Sequence, residues 1–204
     1  MSFNVQFGAR VPPAGFDLSN PNNEKLMEHN KNILRLFGYH VNTEAEVDGA
    51  QLAMLASAAE SRKVRGSPVL TFEPFYFFFY GSLQHPKVLT NVTKKGAKRS
   101  SSEPEPVLKP GSIKDWKIMM WGPYPALIPK EGNKVEGKYW KCESIEEVYN
   151  LCYYETDAYR MEFCDITTEE GEVIKDGRVF VSTDEDGSEL TEGCFDLEEY
   201  SQWA

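Results

Sequence analysis

Hydrophobic and polar positions follow two different rhythms along this chain. After Asn20-Pro21, residues Leu26, Ile33, Leu34 and Phe37 recur at roughly helical spacing, and Gly38 is placed to end that helix as a C-cap. A second helical stretch is predicted over about Glu44–Lys63, rich in Ala, Leu and Met. Residues 1–70 therefore read as a helical extension packed on a main domain of residues 71–204, with no chemistry of their own.

From Phe72 onward the period changes to that of strands. Phe75–Tyr80 is aromatic throughout, as expected of a strand buried on both faces, and it breaks abruptly into Gly81-Ser82-Leu83 with a short helix expected near Gln84 or Pro86. Lys94–Pro110 mixes Ser, Pro and charge and reads as a solvated loop, although its basic cluster also suits an anion. Trp116–Trp121 is a predicted strand. Gly122–Pro129, interrupted by prolines, reads as an irregular crossing or as the rim of a cavity. Val135–Cys142 alternates as a further strand. Ser144 and Glu147 form a capping-box pattern, opening a helix whose Ile145, Val148, Leu151 and Cys152 share one stripe. Tyr159–Ile166 and Arg178–Ser182 are strands, Asp176-Gly177 marks a turn between Glu172–Ile174 and the latter, and Leu197–Trp203 is a short amphipathic ending. Several strands around few helices predict an α+β domain with a small mixed, curled or barrel-like sheet and flanking helices.

Composition narrows the function classes. The 204 residues can bury a proper core, and 41% hydrophobic with 13% aromatic content marks a globular chain. A net charge of −10 argues against nucleic acid or an anionic membrane as the main partner. No apolar run reaches the length of a spanning helix, and Met1–Arg10 lacks a signal-peptide pattern, so a soluble cytoplasmic protein is expected. Cys142, Cys152, Cys164 and Cys194 show no metal-ligand spacing and His29, His40 and His85 are scattered, so reduced, mostly buried thiols are expected and no metal site.

Two places suit chemistry. At Tyr80-Gly81-Ser82-Leu83, consecutive backbone amides at a strand-to-turn corner make an anion nest whose natural guest is a carboxylate; a plain tight turn is the competing reading. The other is Glu155, at the end of an apolar helix and flanked by Tyr153, Tyr154 and Tyr159. Desolvation among aromatics raises a carboxyl pKa toward neutrality, which suits a group that takes and returns a proton; periodicity alone allows a surface glutamate equally. Asp157 reads as a cap or turn residue.

Taken in order, these residues resemble the AIG2-like branch of the γ-glutamylcyclotransferase-like superfamily. The resemblance is carried by Tyr80-Gly81-Ser82-Leu83 after a hydrophobic strand, Tyr124-Pro125-Ala126-Leu127 with Pro129, Val135-Glu136-Gly137, and Leu151, Glu155 and Tyr159 around the helix end. It spans about Phe75 to Ser182. It implies a small barrel with flanking helices, a small-molecule γ-glutamyl substrate, no cofactor, and release of 5-oxoproline. By the same resemblance Glu155 is the catalytic acid/base and Tyr80–Leu83 hold the substrate carboxylate. Tyr159 is a hydrogen-bond partner of Glu155 or substrate, or else a core tyrosine. The chain departs from the branch at Cys152, where Asp is common, and at Met161, where Arg is common and Arg160 stands one place early. Residues 1–70 and the Lys94–Pro110 loop have no counterpart in the branch and leave room for a larger glutathione conjugate or a γ-glutamylamine as substrate, while Cys152 and Met161 favour the alternative of a non-catalytic binding module of the same fold.

Overall fold

The computed structural model describes residues 21–41, 49–60, 70–94, 105–184 and 187–201. The chain divides into two compact units, Met1–Pro74 and Phe75–Ala204. In the first, helix α1 spans Pro21–Leu36, with Pro21 in its opening turn, where a missing N–H costs nothing. It ends as the sequence predicts: Gly38, at φ 78°, donates its amide to the Arg35 carbonyl at 2.9 Å. Helix α2 (Gly49–Glu60) lies inside the predicted second helix, whose flanks 44–48 and 61–63 fall outside the described residues. Helix α1 packs on α2, and Ile33, Leu34 and Phe37 are buried, as are Leu52, Ala53, Ala56 and Ala59. Short strands β1 (Tyr39–Val41) and β2 (Leu70–Phe72) pair antiparallel beside them.

The second unit is a closed barrel of five strands: β3 (Phe75–Phe79), β4 (Lys109–Trp121), β5 (Tyr124–Cys142), β6 (Tyr159–Thr168) and β7 (Val173–Ser182), in the order β3-β5-β4-β6-β7. All neighbours are antiparallel except β3 and β7, whose parallel pairing closes the ring. Helices α3 (Pro86–Thr93) and α4 (Ile145–Glu155) pack together outside it, tied by Asn150 Nδ2 donating to the Thr93 carbonyl at 3.0 Å, and α5 (Leu197–Ser201) follows near the C-terminus. The expected α+β barrel is the fold.

Closure explains why β3 is aromatic on both faces. Phe78 points into the barrel core with Ile113, Leu127, Val135, Ile166 and Val179. Phe77 and Phe79 point outward, where Phe77 stacks on Phe180 (5.4 Å, 6°) and Phe79 faces Trp140 (6.4 Å). Gly137, opposite β3, is required by this close packing: a Cβ there would lie 2.3 Å from the Phe79 carbonyl oxygen.

Three expectations are corrected. The strand predicted at Trp116–Trp121 begins earlier, at Lys109, so the end of the predicted loop belongs to β4; residues 95–104 lie outside the described set. Gly122–Pro129 is not an irregular crossing, because Tyr124–Pro129 is the first part of β5. Pro125 and Pro129 pair only with Met120 and Trp116 of β4, while β3 joins β5 further on at Lys138–Cys142, so the prolines lie where β5 has a single partner. Asp176-Gly177 is not a turn either. β7 runs through it, and the extra residue is absorbed by positive φ at Asp176 (53°) opposite a register shift at Cys164/Ile166 in β6. The true turn is at Glu169–Glu172, with Gly171 at φ 84°.

Candidate active site

The corner that follows β3 is built by short-range bonds. Ser82–Gln84 form one 3₁₀ turn, in which the Gln84 amide donates to Gly81 O (3.1 Å) and the His85 amide to Ser82 O (3.0 Å). The imidazole of His85 then caps α3, its Nδ1 accepting from the Lys87 amide at 3.2 Å. This leaves the amides of Gly81, Ser82 and Leu83 without an acceptor among the described residues. Lys138 Nζ donates to the Gln84 carbonyl at 3.3 Å, fixing the far side of the turn to β5.

Glu155 arrives from α4, whose start is set by the predicted capping box. Glu147 N donates to Ser144 Oγ (3.3 Å), and Ser144 N donates back to Glu147 Oε2 (3.1 Å). At the other end, Thr156 stops the helix at φ 61°, ψ −163°, a conformation essentially reserved for glycine and costing on the order of 1–3 kcal/mol elsewhere. Local bonds hold it there. The Ala158 amide donates to Thr156 Oγ1 (3.3 Å), and Thr183 at the end of β7 donates its amide to Ala158 O (3.1 Å) and its hydroxyl to Asp157 O (3.2 Å). Asp157 is thus a turn residue, as the sequence suggests.

These two segments share one small cavity of about 50 Å³. Tyr80–Leu83 form one side of it and Glu155 another, while Phe78, Phe79, Phe180 and Pro125 give apolar walls and Tyr159 completes the lining. All six sequence-predicted site residues, Tyr80, Gly81, Ser82, Leu83, Glu155 and Tyr159, line this one space. Cys152 and Met161 are buried and do not. Sequence reasoning missed Phe180, whose strand is paired through Met161 to β6, and gave Pro125 only as part of a motif.

Glu155 keeps some exposure as a residue, yet burial of its carboxyl group pushes the pKa up to about 8. It has no hydrogen-bond or ion-pair partner among the described residues. The surrounding phenols behave differently. Tyr80 donates to the Phe180 carbonyl at 2.8 Å and Tyr159 to the Pro125 carbonyl at 3.0 Å, so Tyr159 bonds neither to Glu155 nor into free space. Burial first, and then the nearby Glu155 charge, raises both phenols well above their ordinary pKa, so they remain neutral donors. Ser82 Oγ meets Tyr154 OH at 2.9 Å. The arrangement can take an anion at the corner and exchange a proton at the carboxyl.

Among the described residues, no group of three or more His, Cys, Asp or Glu side chains is placed to hold a metal ion. No described helix is long and apolar enough to cross a membrane. No disulfide joins the four cysteines, of which Cys142, Cys152 and Cys164 are buried and Cys194 is exposed.

Among solved structures, an Arabidopsis thaliana protein studied in solution matches at TM-score 0.50 and 19% identity, over 69% of this chain and 78% of that one. A second Arabidopsis thaliana solution structure matches at TM-score 0.49 and 20% identity (65% and 84% covered), and an AIG2-like protein from Mus musculus at 0.42 and 16% (54% and 78%). No curated protein matches by sequence. The family model described as gamma-glutamyl cyclotransferase, AIG2-like, matches residues 77–202, which takes in the whole barrel from within β3, the corner, and Glu155. The chain belongs to the AIG2-like gamma-glutamyl cyclotransferase family.

Proposed function

We propose that this protein cyclises a γ-glutamyl amide. The substrate's α-amine attacks its own γ-carbonyl carbon, the bond to the outgoing nitrogen breaks, and 5-oxoproline leaves together with an amine or amino acid. The observation that carries this reading is Glu155: a desolvated carboxyl with no protein partner among the described residues, lining the same cavity as the unpaired amides of Gly81–Leu83. Family membership supports the reaction class.

Attack within one molecule needs the glutamyl chain folded back on itself, and correct orientation supplies roughly 7–11 kcal/mol of such a barrier. The α-carboxylate docked on the Gly81, Ser82 and Leu83 amides fixes one end of that chain. An α-ammonium beside Glu155 favours the carboxylate form and lowers its pKa from the empty-site value of about 8, so the group is ready to accept a proton. The α-nitrogen gives up two protons on becoming a lactam N–H, and the outgoing nitrogen gains two on leaving as an ammonium. Glu155 relays them in turn. No covalent enzyme intermediate is required. Tyr80 and Tyr159, locked on carbonyls, shape the cavity.

A second cavity of about 100 Å³ adjoins across Tyr159, lined by Trp121, Ser182 and Asp184 among others, and gives room for the outgoing group of a γ-glutamylamine or a larger glutathione conjugate. Buried thiols that form no disulfide, such as Cys142 and Cys164, suit a reducing, cytoplasmic compartment. The test is release of 5-oxoproline from glutathione, γ-glutamyl amino acids and γ-glutamylamines. Release from at least one class is expected. Binding of these compounds without release from any of them would leave a non-catalytic binding module instead.

A further inference from the structure

Three hydroxyls run from the C-terminal helix to the cavity. Tyr200 OH on α5 lies 3.4 Å from Tyr154 OH on α4, and Tyr154 OH lies 2.9 Å from Ser82 Oγ in the corner. Both tyrosines are half-buried, and the Phe195 ring, 5.7 Å from that of Tyr200, packs beside the outer end. Each hydroxyl has one proton to donate and two lone pairs. A phenol is a stronger donor and a weaker acceptor than an aliphatic alcohol, so the favoured sense is Tyr200 to Tyr154 to Ser82. In that sense Ser82 still has its own proton, and it lines the cavity beside the unpaired amides of the corner. In the reverse sense Ser82 spends its proton on Tyr154 and presents only lone pairs to an incoming anion. Successive donors polarise one another, which strengthens the last bond in the row.

We infer that Tyr154 and Tyr200 are positioning residues for substrate binding: they hold Ser82 as a donor to the glutamyl α-carboxylate and make α5 part of the substrate site. This rests on the cyclotransferase reading above. Burial keeps the Tyr154 phenol above its ordinary pKa, so its proton is available throughout the physiological range. The inner contact is short and the outer one long, so the two tyrosines contribute unequally. The residue preceding Glu155 on α4 thereby serves the opposite end of the substrate from Glu155 itself.

The test measures 5-oxoproline binding by calorimetry and steady-state turnover for wild type, Ser82→Ala, Tyr154→Phe, Tyr200→Phe and the Ser82→Ala/Tyr154→Phe double variant, with melting curves to verify folding. Tyr154→Phe should weaken product binding and raise KM by about three- to ten-fold while kcat changes little, and Tyr200→Phe should do so by about two-fold. The double variant should bind no more weakly than Ser82→Ala alone, because Tyr154 acts only through Ser82. Wild-type affinity in folded Tyr154→Phe, or losses that multiply in the double variant, would overturn the relay while leaving the cyclotransferase standing. A wild-type protein that neither binds nor releases 5-oxoproline would instead overturn the cyclotransferase reading, and the relay with it.

Discussion

Helix α4 carries a carboxylate near each end, and the fold treats them in opposite ways. Glu147, in the first turn, is satisfied: its Oε2 accepts from the Glu143 amide at 2.8 Å and the Ser144 amide at 3.1 Å. Glu155, in the last turn, is desolvated and given no partner among the described residues. The first arrangement stabilises a helix start. The second costs stability, because a buried polar group without a hydrogen bond loses its hydration for nothing in return, and the strained Thr156 beside it adds to that cost. Such a group, desolvated in a cavity, is a candidate for completion by a ligand. Glu147 and Glu155, on one helix, are thus set apart by their surroundings: the first caps the helix, and the second is the group proposed to carry the proton.

That contrast is sharpest in turnover. Glu155→Gln keeps the size of the side chain but cannot cycle a proton, so kcat for 5-oxoproline release should fall by about 10²-fold or more. Glu147→Gln, assayed alongside, should stay near wild type. Unimpaired kcat in the Glu155→Gln variant would place the proton transfer elsewhere.

Next comes the corner opposite Glu155. Gly81 has φ −115°, outside the left-handed region that favours glycine, and the constraint at this position is space: a Cβ would stand 3.0 Å from Pro125 Cγ, part of a rigid ring. Gly81→Val should raise KM by about ten-fold through crowding at the amides proposed to receive the carboxylate. Near-normal KM in a folded variant would remove the corner from the binding site.

The stability difference depends on pH with a defined sign. The folded pKa of Glu155, about 8, lies above its ordinary 4.5, so the native state holds the extra proton between these values and loses stability as pH rises through them. Glutamine cannot ionise. Glu155→Gln should therefore match wild type near pH 4 and gain on it up to about pH 8, by about 2 kcal/mol given the partial exposure of the residue. That corresponds to about 4–8 °C in Tm for a chain of this size. A Tm difference independent of pH would mean that the carboxyl is well solvated.

The smallest effect belongs to the satisfied carboxylate. Glu147→Ala removes an acceptor from two amides at the helix start and should lower stability by about 1 kcal/mol, with kcat unaltered. Melting and turnover on one preparation test both halves.

Much of this is readable in the sequence. The capping box fixes the start of α4 from four residues, and the all-aromatic Phe75–Tyr80 stretch requires a strand covered on both faces, which a closed barrel provides. The site residues come from the motif resemblance; periodicity leaves Glu155 undecided between surface and cavity, because the direction of a side chain at a helix end depends on the backbone beyond it. Thr156, in a conformation no propensity assigns to threonine, ends the helix directly after Glu155. Proline and Asp-Gly mislead for a shared reason. Both usually interrupt strands, but where β5 has one partner and where β6 carries a register shift, the ladder tolerates them. Tyr200 is invisible as a site neighbour, since nothing local in Leu197–Ser201 says that its hydroxyl meets one 46 positions earlier.

The most direct measurement is a carbon-13 NMR titration of the glutamate side-chain carboxyls in wild type and Glu155→Gln. One resonance should inflect near pH 8, vanish in the glutamine variant, and move to lower pH when an α-ammonium ligand occupies the cavity. If every carboxyl in the wild type finishes titrating below about pH 6, Glu155 is a solvated surface acid and cannot play the part assigned to it.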